Sequence, residues 1–261
     1  LVMAGPLMRQ GLELAVSGPL PSAPYLDLTV DAMRAFGSEL EVSDDRRSWQ
    51  VLPVALQKTR YEVEGDWSAA AFFLAAVAVA GGEVEIGPLD PASRQGDRAA
   101  VRILADAGLE VDWDGRRLRA QGPVVAPIFA DLRHSPDLFP ALVAAAACAP
   151  PGSRFSGLDH LKHKESDRLA VMKENLERLG ARLAVRDAEL EIEATVDASP
   201  PAVKAVTAAG DHRIAMAMAV AALGAGPLEL DEPDCVTKSF PAFWTVWERL
   251  LSSGRNWGAG G

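Results

Sequence analysis

Apolar and polar positions along the chain form a pattern that returns about every seventy residues. Four alanine-rich apolar segments each run into a glycine and then a short β-type run: "LVMAGPLMRQG" then "LELAVSG", "DWSAAAFFLAAVAVAGG" then "EVEIG", "PDLFPALVAAAACAPPG" then "SRFSG", and "DHRIAMAMAVAALGAG" then "PLELD". Their closing glycines, Gly11, Gly82, Gly152 and Gly226, are spaced 71, 70 and 74 residues apart. Between them lies a second series, "DAMRAFG", "RILADAG", "NLERLG" and "ERLLSSG", whose glycines Gly37, Gly108, Gly180 and Gly254 are spaced 71, 72 and 74 apart. Two independent markers on one period make the repeat structural.

The first series is apolar on every side and predicts buried helices, called here A. The second carries a polar face and predicts amphipathic helices, called B. Each unit then reads strand, helix B, strand, turn, strand, helix A. In one unit, helix B spans about residues 166–179, followed by "ARLAV", the turn "RDAE" and "LEIEA". The fold class expected is α/β (α+β), built from repeated βαβαββ units with helices packed inside or behind sheets. The first unit opens inside helix A and the fourth stops after helix B, so the chain reads as an N-terminally truncated, C-terminal piece of a longer protein. An internal boundary is expected near residues 59–66, "TRYEVEGD".

Composition narrows the picture. Of 261 residues, 36 are acidic and 26 basic, a net charge of -10, so neither nucleic acid nor an anionic membrane surface is an expected partner. Any anion must be held locally. Two cysteines, Cys148 and Cys235, are too few for a disulfide framework and suit a reducing cytoplasm. The apolar run at 68–80 falls short of the roughly 18 residues a membrane span needs. No metal-ligand spacing, Walker loop or dinucleotide fingerprint is present, and no metal or cofactor is implied.

The polar residues recur at fixed places on the repeat. At the starts of helices A stand Asp66, Asp137 and the trio Asp211, His212 and Arg213. At the junctions into helices B stand "SAPY", "SRQGD", "KESDR" and "TKSFP". Such placement gathers helix N-termini along one rim. Asp66 reads equally well as an ordinary N-cap. Arg168 and Arg213, however, are cations in helix first turns, the end of the dipole that favours anions. An oxyanion held between arginines and helix N-termini resolves that conflict. At about 100° per residue, the apolar face of Leu169, Met172, Leu176 and Leu179 continues back through Glu165 and Arg168, while Asp167 points away to cap or to water. Glu165 on that face must be paired, or take a raised pKa and become a proton donor. His212, between Asp and Arg, is a candidate for function; His134 and His163 read as surface or supporting residues.

Together "SAPYLDLT", "YEVEGDWSAAAFFLAA", "RQGD", "PDLFPAL", "KESDRL", "GDHRIAMAMAVAAL" and "CVTKSFPAFW", in this order, resemble the C-terminal part of the 3-phosphoshikimate 1-carboxyvinyltransferase (EPSP synthase) family, from Leu1 to about Leu251. The resemblance implies two domains of the enolpyruvyl transferase type around a cleft. Residues 1–62 would end the shikimate-side domain, 63–251 would form the phosphoenolpyruvate-side domain, and 252–261 a tail. It implies transfer of the enolpyruvyl group of phosphoenolpyruvate to the 5-hydroxyl of shikimate 3-phosphate, with release of phosphate, on the way to chorismate and aromatic amino acids, by a cytoplasmic enzyme that is a monomer when complete.

Carried over residue by residue, the resemblance makes Asp137 the base on the 5-hydroxyl and Glu165 the acid to the methylene carbon. Lys164 and His212 join them as catalytic candidates. Arg168, Arg213 and Lys238 would hold phosphoenolpyruvate, and Ser22, Tyr25, Asp137, His160 and Lys164 shikimate 3-phosphate. His160 stands where some relatives have Asn. The family's Lys-Ser and Arg contacts, its Gly-rich loop and its Ser-Ser-Gln motif would precede Leu1. The alternatives are a UDP-N-acetylglucosamine carboxyvinyltransferase, expected to differ at "KESDR" and "DHR", or a non-catalytic fragment that binds anions.

Overall fold

The computed structural model describes residues 1–197 and 203–253; Gly254 and most of the expected tail lie outside the described residues. The chain forms two compact units, one of Leu1–Glu64 with Ala92–Gly96, the other of Gly65–Pro91 with the described part of Asp97–Gly261.

The first unit contains strand β1 (Leu12–Ala15), helix α1 (Ala23–Ala35), β2 (Leu40–Val42) and β3 (Ser48–Val51). The strands form an antiparallel sheet in the order β1-β3-β2, with Leu12 and Leu40 both opposite Val51. The opening segment, expected to be the end of a helix A, is a single 3-10 stretch, Val2–Leu7. Pro6 within it has no N–H to donate, and an α-helix is not sustained.

The second unit carries the repeat in full view: α2 (Trp67–Ala80), β4 (Gly82–Ile86), α3 (Ala99–Asp106), β5 (Glu110–Asp114), β6 (Arg117–Gly122), β7 (Phe129–Asp131), α4 (Phe139–Cys148), β8 (Arg154–Ser156), α5 (Arg168–Arg178), β9 (Arg182–Arg186), β10 (Glu189–Ala194), β11 (Lys204–Val206), α6 (His212–Ala225), β12 (Leu228–Leu230) and α7 (Phe243–Ser253). The predicted A helices are α2, α4 and α6; the predicted B helices are α1, α3, α5 and α7. Read from β7 to β10, the order is βαβαββ.

Helices α2, α4 and α6 pack on one another at the centre of this unit. Alanine dominates them because it is the best helix former and lets helix axes approach closely. Phe72, Leu74, Phe139 and Leu142 are fully buried there, each contributing about 1.5–3 kcal/mol by its removal from water. At Gly224 of α6 the approach is so close that a Cβ would lie 2.5 Å from the Cys148 Sγ of α4. Burial also pushes the Cys148 thiol up to about 12, which keeps it an unreactive packing group.

Sheets flank this core in the orders β4-β6-β5, β7-β8-β10-β9 and β11-β12. Strand β6 alternates exposed and buried residues, as a sheet with one face on a core requires. Strands β7 and β11 have a place in the βαβαββ unit but none in the order strand, helix B, strand, turn, strand, helix A read along the sequence. Each pairs in parallel with the strand that follows the next A helix, β7 with β8 and β11 with β12. Parallel neighbours need such a crossover, and α4 and α6 provide it. Both strands are three residues long, below the length at which alternation is recognisable in sequence.

Helices α1, α3 and α5 end as expected at Gly37, Gly108 and Gly180, all with positive φ. At Gly180 (φ 98°) the requirement is double. The left-handed conformation disfavours other residues, and a Cβ would lie 2.9 Å from that of Asp197. The glycine ends α5 and turns the chain into β9, which sets the direction of α5 and so the place of its N-terminus.

Candidate active site

Three helix N-termini and one turn of the second unit supply the charged residues. Asp137 lies in the 3-10 turn Pro136–Leu138 that leads into α4. Lys164 and Glu165 precede α5, whose N-cap is Asp167 and whose first residue is Arg168. Asp211 is the N-cap of α6, followed by His212 and Arg213. Lys238 ends the 3-10 turn Pro233–Lys238 ahead of α7.

The phase argument holds for Asp167 and Arg168 and fails in part for Glu165. Asp167 faces outward and accepts from the Ala170 amide, while Arg168 keeps only 1% of its side chain exposed. Glu165 turns toward Arg168 but keeps 31% of its side chain exposed. It therefore stands at the rim rather than inside.

Arg168 is the centre of the site. Its Nη1 donates to Asp137 Oδ1 (2.7 Å), its Nη2 to Glu165 Oε2 (2.7 Å), and its Nε to Asp211 Oδ2 (2.8 Å). Asp137 is also approached by Lys164 Nζ at 3.2 Å and Arg213 Nη2 at 3.4 Å, and Glu165 by Lys238 Nζ at 3.3 Å. Six candidate residues for catalysis or phosphoenolpyruvate, Asp137, Lys164, Glu165, Arg168, Arg213 and Lys238, thus share one ion-pair network.

The charges set the protonation states. Burial raises the Asp137 carboxyl, but Arg213, Lys164 and Arg168 more than offset it and hold the pKa down at about 2. Burial likewise raises Glu165, while its own backbone amide, Arg168 and Lys238 bring the net shift below the usual value. Opposed protonation of these two carboxylates, expected from the roles carried over, is therefore not a property of the site by itself. Pairing has taken the place of protonation for Glu165, the first of the two outcomes open to a carboxylate on that face.

His212 is 5% exposed, and its Nδ1 has no hydrogen-bond partner among the described residues. Burial and then Arg213 lower its pKa, which favours the neutral ring. His160 caps the turn Leu161–His163; its Nε2 is buried without a partner among the described residues, and burial and Lys164 lower its pKa. His134 and His163 are exposed.

Ser22 and Tyr25 belong to the first unit, at the start of α1. Ser22 is the N-cap with φ 58°, and its side chain makes no capping bond, so the hydroxyl is not used to satisfy the helix. Tyr25 lies in the first turn, its amide bonded to the Ser22 carbonyl. Among the described residues no His, Cys, Asp or Glu cluster is arranged to hold a metal ion, and no helix is long and apolar enough to cross a membrane.

Sequence reasoning overlooked the extent of Asp211's connections. It is fully buried, accepts from Ser166 Oγ and the Arg213 amide, and faces Arg168 along one edge of the guanidinium. The available signal was Arg168 itself, a cation on an apolar face that required a buried counter-charge.

The family described as EPSP synthase (3-phosphoshikimate 1-carboxyvinyltransferase) matches residues 1–247. A 3-phosphoshikimate 1-carboxyvinyltransferase of Dehalococcoides mccartyi is 36% identical over 250 residues, covering 96% of this chain and 58% of the relative. Another, of Methanoculleus marisnigri, is 37% identical over 246 residues, covering 94% and 57%. The solved structure of an EPSP synthase from Acinetobacter baumannii superposes with a TM-score of 0.77 at 25% identity, covering 95% of this chain and 58% of that one. The chain therefore spans a little under three fifths of the length of these relatives. With the family match running through both units, the chain belongs to the EPSP synthase (3-phosphoshikimate 1-carboxyvinyltransferase) family.

Proposed function

We propose that the protein to which this chain belongs transfers the enolpyruvyl group of phosphoenolpyruvate to the 5-hydroxyl of shikimate 3-phosphate, and that the second unit is the wall that binds the donor. The observation that carries this reading is the convergence of Arg168, Arg213, Lys164 and Lys238 on the two carboxylates Asp137 and Glu165. Ser22 and Tyr25, with Asp137, His160 and Lys164, are the contacts for shikimate 3-phosphate. Residues 1–62 and 63–251 belong, in this reading, to the two domains of the enzyme. The two cysteines and acidic balance suit a soluble cytoplasmic enzyme, and we propose that its complete form is a monomer.

In this reading Asp137 removes the 5-hydroxyl proton as that oxygen attacks the C2 of phosphoenolpyruvate. Glu165 adds a proton to the methylene carbon, which becomes a methyl group in a tetrahedral intermediate. Loss of phosphate and of a methyl proton then restores the double bond. His212, which feels the charge of Glu165 and whose lowered pKa favours the neutral ring, is the candidate for proton relay. A carboxyl at about 2 is a weak base, and a paired glutamate is a poor acid. The donor itself changes this. Its carboxylate and phosphate draw on Arg168, Arg213 and Lys238, weakening part of the charge that holds both pKa values down, so that both rise. Donor binding thereby converts a self-neutralised network into an acid and a base.

Phosphate release from the two substrates tests the reading, with this chain alone and with the chain extended N-terminally to the length of its relatives. Release by the extended protein is expected, with Asp137→Asn and Glu165→Gln each lowering turnover by about 10²–10⁴-fold. A folded extended protein without release would favour the other acceptor class or a non-catalytic anion binder. Near-normal turnover in both variants would overturn the assignment of acid and base.

A further inference from the structure

Arg168 is a single guanidinium with three carboxylate partners, and these partners differ. Asp137 and Glu165 keep 22% and 31% of their side chains exposed, whereas Asp211 is fully buried. Asp211 meets the Nε edge of the guanidinium, with Nε to Oδ2 at 2.8 Å and Nη2 to Oδ1 at 3.4 Å. That leaves the far ends of both Nη groups aimed at Asp137 and Glu165. Asp211 is fixed in turn, since Ser166 Oγ donates to Oδ2 and the Arg213 amide to Oδ1.

We propose that Asp211 is the positioning residue of this site: it anchors the Arg168 guanidinium from behind, and through it sets the separation and charge balance of Asp137 and Glu165. A planar guanidinium gripped along one edge retains no freedom about its terminal bonds, and its remaining donors then point in fixed directions. Asp211 also neutralises the charge of Arg168 permanently, so that its field on the two outer carboxylates is reduced. The anchoring stands on geometry alone; its meaning for acid and base rests on the function proposed above.

Asparagine at position 211 separates the possible roles, because it caps a helix about as well as aspartate but carries no charge. The groups facing Glu165 are Arg168 on α5, Lys238 in the turn before α7, and Asp211 and His212 at the start of α6. Those facing Asp137 are Arg213, Lys164, Arg168 and His160. Removing the Asp211 charge leaves the cations less opposed, and the Glu165 titration moves to lower pH.

The experiment is arginine-labelled NMR of the 261-residue chain, with Arg168→Lys to assign the signal. In wild type the Arg168 Nε–H should exchange on the order of a hundredfold more slowly than those of exposed arginines. In Asp211→Asn that protection should fall by on the order of tenfold, and the Glu165 carboxyl should titrate lower. An unprotected Arg168 Nε–H in wild type overturns the proposal even if the variant fails to fold, as does unchanged protection in a folded variant. In the extended protein the variant's turnover should fall off at a lower pH on the alkaline side, whereas a merely structural role lowers it evenly at every pH. Absence of turnover in the wild-type extended protein, with the NMR changes present, would overturn the proposed function and leave the anchoring intact.

Discussion

The starts of α2 and α6 occupy the same place two repeats apart, and both begin with an aspartate N-cap. Asp66 is exposed and, among the described residues, accepts from the Ser68 and Ala69 amides alone, at 2.8 and 3.2 Å. Asp211 is fully buried and accepts from a guanidinium, a hydroxyl and an amide. The next two residues differ in kind. Trp67 and Ser68 are both buried, the indole against Trp113 and the Ser68 hydroxyl donating to the buried Asp97, while His212 and Arg213 face charged neighbours. The junctions into two B helices, α3 after α2 and α5 before α6, show the complementary change. In one unit the residue turned inward is Asp97, with Arg98 outside on the Pro91 carbonyl; in the other it is Arg168, with Asp167 outside as the cap. One scaffold thus carries a hydroxyl-carboxylate pin beside one helix A and an ion-pair network beside another, by turning adjacent members of the same Asp-Arg pair toward the core.

This contrast predicts very unequal responses to truncation. Arg168→Ala leaves Asp211 buried without its counter-charge, and should destabilise the 261-residue chain by about 3–5 kcal/mol. Ser68→Ala removes one hydrogen bond to a carboxylate and should destabilise it by about 1.5–3 kcal/mol. Urea unfolding of both variants measures the difference, and equal losses would mean that the network at α6 is no more demanding than the pin at α2.

Much of this contrast is legible in the amino-acid sequence. The period, the A and B helices and their terminal glycines follow from patterns that local physics imposes on every unit, and helical phase alone turns Arg168 inward. Strands β7 and β11 are not recoverable that way, because three residues cannot display an alternation and their partners lie across an entire helix. Composition misleads at the first helix A, since Pro6 breaks what the apolar residues suggest. In the site, motif and phase locate the residues, but the lowered pKa of Glu165 is out of their reach. Beside its own amide and Arg168, that shift draws on Lys238, which is 73 positions away in sequence and 3.3 Å away in space.

The acid side of the stability profile probes the rim next. Asp137 has a folded-state pKa of about 2 against roughly 3.9 when unfolded. Its contribution, roughly 2.5 kcal/mol, is therefore complete above the unfolded value and is lost as pH falls from about 4 to about 2. Replacing Asp137 by Asn should remove that part of the slope when unfolding is followed from pH 5 downward. An unaltered slope would show that the cations around Asp137 do not depress its pKa in solution.

The smallest effect is expected at Asp66, and it is the sharpest control on the comparison. If Asp66 only caps α2, Asp66→Ala should lower stability by about 1 kcal/mol and Asp66→Asn by no more than a few tenths, since asparagine caps equally well. The same Asp-to-Asn change at position 211 keeps the cap and removes a buried counter-charge, so its cost should exceed that at position 66 several-fold. Calorimetry of the two asparagine variants side by side compares one chemical change at two equivalent places in the repeat. If both cost the same, burial and the guanidinium add nothing to the cap, and the distinction between the two helix starts fails. If Asp66→Asn proves the costlier, the second repeat holds a charge-dependent role of its own, and α2 would have to be counted with the functional rim.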